Sequence, residues 1–161
     1  IGTNDEASNG TTVGHDVAAS SWTDIVSGAI TPSAATSEIL INFSVNISGD
    51  GGSFALHILR GSEEVGQADD TGVGNRIRYT SSGSMINGGT IYDVGNWSGV
   101  FLDDISTGTA WTSGAITYYI KLSFYSGSGT YRINKTSDDR NNAAGYDGRS
   151  SSHIVLQEIA G

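Results

Sequence analysis

The stretch EILINFSVNI, residues 38–47, decides how this chain is read. Ile39, Ile41, Phe43, Val45 and Ile47 alternate with Glu38, Leu40, Asn42, Ser44 and Asn46. Successive side chains of a strand point to opposite faces. A two-residue period held over this length therefore buries one face and leaves the other mostly outward. Gly49, Asp50, Gly51 and Gly52 follow as a turn, and Ser53 to Arg60 returns as a strand. The pair reads as a β-hairpin.

Working outward, Thr117 to Tyr125 alternates in the same way, with Tyr118, Ile120, Leu122 and Phe124 on one side. Weaker strand patterns cover Thr23–Ile30, Asn75–Thr80, Asn96–Asp103, Gly129–Asn134 and Ser152–Ile159. No convincing apolar stripe of helical period occurs, so helix should be scarce. Short strands separated by glycine-rich turns predict an all-β fold, an antiparallel β-sandwich of jelly-roll type. Residues 1–20 are polar and without period and read as a linker or lead-in, leaving 21–161 as the sandwich domain.

Hydrophobic residues make up 37% and charged residues 16%, while glycine reaches 23 residues. Such a balance can mark disorder, but the alternating apolar runs are what disordered chains lack. At 161 residues the chain is long enough for one domain with a real core. Seventeen acidic against eight basic residues give a net charge of −9. That argues against nucleic acid and against anionic membrane surfaces, both of which call for Lys and Arg. There is no cysteine, so disulfides and thiolate metal sites are excluded. No apolar run reaches the roughly 18 residues of a membrane helix, so no membrane insertion is expected. No leader is legible, and a chain starting at Ile1 is expected to be a fragment or a processed product.

The residues that carry chemistry form no catalytic fingerprint. His15, His57 and His153 lie far apart and lack metal-ligand spacing. His57 falls opposite the apolar phase of its strand, as a surface or half-buried, hydrogen-bonded histidine would. No nucleophile elbow occurs, and Gly72–Arg76 lacks the third glycine and the helix that a phosphate loop needs. Acid pairs stand at Glu63/Glu64, Asp69/Asp70, Asp103/Asp104 and Asp138/Asp139. Asp138 and Asp139, near Asn134, Asn141, Asn142 and Asp147, are the best place for calcium. Pairing with Arg132, Arg140 or Arg149 explains them equally well, and no cofactor or metal is expected. Five Asn-x-Ser/Thr sequons, at Asn9, Asn42, Asn46, Asn96 and Asn134, are unremarkable in a Ser/Thr-rich chain. The remaining lead is aromatic. Tyr79, Tyr92, Trp97, Tyr119, Tyr125 and Tyr146 fall on outward phases or in loops, where flat rings beside Asn and Asp suit sugar stacking or oligomer contact.

The closing stretch, residues 131–161, runs YRINKTSDDRNNAAGYDGRSSSHIVLQEIAG. A long polar loop here returns to a terminal strand, which in a compact domain points to function or an interface. That strand is apolar on both parities: Ile154 and Leu156 on one, Val155 and Ile159 on the other. Either both faces are buried within the domain or one packs on another subunit.

Several marks in order give the chain a resemblance. They are Ser21-Trp22-Thr23-Asp24, Ile30-Thr31-Pro32, Ser37-Glu38-Ile39-Leu40, Leu59-Arg60-Gly61, Tyr131-Arg132-Ile133-Asn134, Gly148-Arg149-Ser150 and the strand Ser152 to Ile159. Together, over roughly residues 22–161, the pattern resembles the jelly-roll head domains of phage tail fibres, especially those of marine phages. His153 and Gln157 depart from the Thr and the Met or Leu expected in the last strand. The resemblance implies a non-enzymatic homotrimeric knob on the virion surface, outside the cell, that attaches to a host-surface glycan or protein receptor. It implies receptor contact by Tyr79, Tyr92, Trp97 and Tyr146. It also implies a subunit interface through His153, Val155, Gln157 and Ile159, so that the outer face of the last strand packs on a neighbour. The alternative is a structural β-sandwich, such as a capsid decoration protein or an extracellular filament subunit. A glycan depolymerase would instead require two carboxylates facing each other across a groove.

Overall fold

A computed structural model describes residues 7–11, 15–17, 22–49, 52–67, 80–85, 94–126, 131–136 and 149–160. Its strands are β1 (Ala7–Thr11), β2 (His15–Val17), β3 (Thr23–Ile30), β4 (Glu38–Gly49), β5 (Gly52–Arg60), β6 (Glu63–Val65), β7 (Ser81–Met85), β8 (Gly95–Asp104), β9 (Ile116–Ser126), β10 (Tyr131–Ile133) and β11 (Ser152–Ile159). No helix occurs among the described residues. All pairings are antiparallel, and the strands form two sheets.

In the first sheet β4 is central. β8 lies along one side of it, and β11, then β1, along the other. Where β11 ends, β10 takes its place beside Ile47–Gly49, with β2 beyond it. The second sheet runs β3-β9-β5, with β6 and β7 sharing the far side of β5. The two layers bury their inward parities against each other, the ordinary solution for one-sided sheets. β4 contributes Ile39, Ile41, Phe43, Val45 and Ile47; β5 contributes Phe54, Leu56 and Ile58; β9 contributes Tyr118, Ile120 and Leu122. The layers approach closely where β3 crosses β11. A Cβ on Gly28 would lie 3.2 Å from the Ile154 side chain and 3.3 Å from Leu156, so only glycine leaves those two in place.

Three expectations change. The hairpin of β4 and β5 does not form, because the two strands lie in opposite sheets. Each carries a full apolar parity, and facing layers bury both against each other. The segment expected as a lead-in contributes backbone pairing instead: β1 with β11, and β2 with β10. Neither ASNGT (7–11) nor HDV (15–17) carries an alternating apolar pattern, which is why the sequence hid these two. Finally, β11 is not buried on both faces within the domain. Ser152, Ile154 and Leu156 point into the core, while His153 and Ile159 are exposed and Val155 and Gln157 half-buried. The expected strand Asn75–Thr80 lies outside the described residues except Thr80, which bonds to β5 through its N–H to Leu56 O (3.0 Å) without joining a strand.

The parity of β4 has a direct test. Ile41→Ala should cost about 2–5 kcal/mol in a urea melt. Asn42→Ala, one residue along and exposed, should change stability by no more than about 0.5 kcal/mol.

Candidate functional site

β5 ends in Arg60, on the parity that elsewhere carries Phe54, Leu56 and Ile58. An arginine there must be paired or the sandwich would bury a bare charge. It reaches across the layers: Nη1 donates to Asp103 Oδ2 of β8 at 3.0 Å and to the Asp104 carbonyl at 3.3 Å. Nη2 donates to Glu63 Oε2 at 2.9 Å and to the Thr107 carbonyl at 2.7 Å. The Tyr118 hydroxyl, in register with Arg60 on β9, donates to the same Asp103 oxygen at 2.6 Å. Arg60 and Asp103 are both almost fully buried. Burial works against the Arg60 charge, but Glu63 and Asp103 outweigh it and raise its pKa. Burial, with the bond to Asp103, pushes the Tyr118 hydroxyl far above the ordinary tyrosine range, which makes it a fixed donor.

This cluster shapes residues 105–115, the connection between β8 and β9. Ser106 N–H and Oγ both donate to Asp104 Oδ1 (2.9 and 2.6 Å), and Thr107 closes a turn onto the Asp104 carbonyl at 3.1 Å. These bonds hold the Asp104 carboxyl below its ordinary value. Gly108 has φ +63°, and the next N–H, of Thr109, donates to both Glu63 oxygens at 3.2 and 3.1 Å. The chain then places Trp111, whose backbone N–H donates to Ile105 O and whose ring Nε1–H donates to Gly114 O, each at 2.9 Å. Trp111 packs against the core and also lines a cleft of about 400 Å³. Glu63, Thr109, Thr117 and Tyr119 stand among the other cleft walls, with Arg60 behind them. Of the residues lining the cleft, Glu63 is the one carboxylate. The bond from Arg60, then that from Thr109, holds it below its ordinary value of 4.5, so it is an anion at neutral pH.

Beside the cleft, the outer face of the second sheet carries a second aromatic group. Trp22 stacks on His57 with ring centres 3.9 Å apart, and His57 Nδ1 lies 3.1 Å from Glu64 Oε1. Gln67 donates its side-chain amide to the other Glu64 oxygen. Lys121 pairs with Asp24 at 2.9 Å and stands 5.6 Å from the Tyr119 ring centre. His57, expected at the surface or half-buried, is instead buried beneath Trp22 and meets Glu64.

Tyr79, Tyr92 and Tyr146 lie outside the described residues, as do Asp138 and Asp139. Trp97 is corrected. It belongs to the inward parity of β8, half-buried, with its ring edge-on to Phe54 at 4.8 Å, because β8 pairs with β4 in a register that sets Trp97 beside Val45. His153, Val155, Gln157 and Ile159 share the outer face of the first sheet. The described residues hold no group of three or more His, Asp or Glu arranged for a metal ion. Trp111 was missed, although a lone tryptophan in the turn-rich run STGTAWTSGA (106–115) is the signal for a presented ring. Arg60 left a signal too, as a charge on an apolar parity. The chain matches no protein-family model and no curated protein.

Two expectations follow. Asp103→Ala should destabilise by about 3–5 kcal/mol, since it leaves Arg60 buried beside one partner fewer. The double variant Arg60→Met/Asp103→Leu should recover part of that loss in the same denaturant melt. Acid should also loosen the fold. Glu63 and Glu158 have depressed pKa values; Glu158 owes its shift first to the Ser37 hydroxyl (2.6 Å) and then to Ser33. A depressed carboxylate contributes fully above its unfolded value near 4.5, and that contribution is lost as pH falls through the lower folded value. Melting temperature should therefore drop below about pH 4.5, and Glu63→Gln should flatten that acid limb.

Proposed function

We propose that this chain is a non-enzymatic attachment domain that binds a host-surface glycan, of the kind carried at the heads of phage tail fibres. The observation that carries this reading is the cleft at Trp111. It offers a tryptophan held by a ring N–H bond to Gly114 and a backbone N–H bond to Ile105, with Thr109, Thr112 and Thr117 in the same lining and the cleft's one carboxylate already engaged by Arg60. A pre-formed concave site with few polar groups suits binding. A glycan-cleaving centre would need a second carboxylate across the groove, and the lining supplies none. The resemblance of the closing strand and its flanks supports the same reading. So does the strand order β1-β11-β4-β8 facing β3-β9-β5-β7, with the chain crossing between layers at most steps, which suits a jelly roll.

The assembled state belongs to this proposal. The outer face of the first sheet sets Leu102, Leu40 and Gln157 in one row and Val100, Asn42 and Val155 in the next. Val100 is 66% and Leu102 44% exposed. The outward positions from Leu40 to Asn46, Asn96 to Leu102 and His153 to Gln157 hold no carboxylate, in a chain with seventeen acidic residues. Copies of a chain with net charge −9 repel one another, and this neutral, apolar-centred face is where they can meet. It includes His153, Val155 and Gln157 of the expected interface, with Ile159 at its edge. The structural alternative draws on the same face, and it would leave the cleft without a ligand.

Two measurements test these statements. The purified domain should bind host cells or a surface-glycan array, and binding to neither would overturn the attachment reading. Light scattering at micromolar concentration should give a trimer for the wild type and a monomer for Leu102→Asp. A wild-type monomer would overturn the assembly.

A further inference from the structure

We infer that the cleft between residues 105–115 and the β5–β6 turn takes an uncharged sugar ring, stacked on Trp111 and hydrogen-bonded to Glu63. This rests on the attachment reading and names the ligand class for it. The charge accounting excludes acidic sugars. Arg60, the cleft's one cation, spends the N–H groups of both terminal nitrogens on Asp103, Glu63 and the carbonyls of Asp104 and Thr107. Lys121, whose Nζ stands 5.6 Å from the ring centre of the cleft residue Tyr119, is paired with Asp24. A carboxylated or sulfated sugar would meet the Glu63 anion with no free cation among the described residues that line the cleft, in a chain already at −9.

The same groups favour a neutral polyol. Glu63 is partly exposed, and a carboxylate offers more acceptor positions than Arg60 and Thr109 occupy, so a ligand hydroxyl can donate to it. Thr109, Thr112 and Thr117 add hydroxyls that donate or accept. Trp111 has already committed its ring N–H to Gly114, so what it offers a ligand is apolar ring surface. A ring face suits the C–H side of a pyranose. Because the ring N–H bond to Gly114 and packing against the core hold the indole in place, little ordering cost remains at binding. The cleft volume of about 400 Å³ lies in the range that holds small ligands.

The test uses the wild-type chain with neutral oligosaccharides and their sialylated or sulfated counterparts, at low and high salt, read by calorimetry and by the indole N–H resonances. Neutral sugars should bind with little dependence on salt and should shift the Trp111 resonance, leaving that of the core-packed Trp97 in place. Trp111→Ala should weaken binding about thirtyfold, and Glu63→Gln should weaken it less. If Trp111→Ala fails to fold, the wild-type resonance decides. Preference for the acidic sugars with a steep salt dependence would overturn this inference and leave the attachment reading intact. Binding of neutral sugars without movement of the Trp111 resonance would also overturn it. Binding to neither host cells nor any glycan would instead bring down the attachment reading itself.

Discussion

The pair of Arg60 and Asp103 is the constraint on which the rest of the molecule depends. Two apolar layers can slide past each other, because dispersion and burial set no direction. A guanidinium from one layer bonded to a carboxylate from the other, with Tyr118 completing the carboxylate, fixes their relation at one end of the sandwich. A buried ion pair adds little net stability, but losing either member is costly. What it contributes here is position. The other terminal nitrogen of Arg60 holds Glu63 and Thr107, and through them the loop that presents Trp111. At the same end of the chain's path, Glu158 of β11 accepts from Ser33 N–H, Ser33 Oγ and Ser37 Oγ at 2.7, 2.8 and 2.6 Å, tying the β3–β4 connection to the terminal strand.

Seen from that frame, the two outer faces have different chemistry. The second sheet turns outward a set of partnered polar and aromatic groups: Trp22 on His57, His57 with Glu64, Lys121 with Asp24, and Tyr119 at the cleft's edge. From Leu40 to Asn46, Asn96 to Leu102 and His153 to Gln157 the first sheet turns outward amides, hydroxyls, a histidine and a few aliphatic side chains, with Glu38 and Asp104 in register at one end. Asn96 donates to Ser44 Oγ and Asn46 Oδ1 at 2.6 and 3.1 Å, so even the polar part of that face is bonded laterally across the strands. The attachment proposal assigns ligand to one face and assembly to the other.

Much of this was legible from local pattern. The alternation in residues 38–47 named the core parity of β4 residue by residue, and the bounds of β3 and β11 were read as they stand. The candidate site was less legible. Trp97 looked outward because a strand's two parities are equivalent until its partner is known, and β8 takes its inward face from pairing with β4. Trp111 sits in a run with no period, where pattern reading has nothing to hold. Asn134 gave no sign of its role: at φ 60° and fully buried, it accepts from Ser152 Oγ at 2.7 Å and donates its N–H to Asn46 O at 3.0 Å, tying β11 and β4 to the end of β10.

The amino-acid sequence alone determined that the chain is all-β, which parity of β4 and of β9 enters the core, and that its charge is acidic. Those properties follow from a period of two and from composition, which are local. Only the tertiary structure decided that β4 and β5 lie in opposite layers and that the polar N-terminal residues pair as edge strands. Only it decided that Arg60 meets Asp103 across forty-three positions of chain. Such relations depend on which strands become neighbours. That choice is made by burying all the apolar parities at once, and no single segment encodes it.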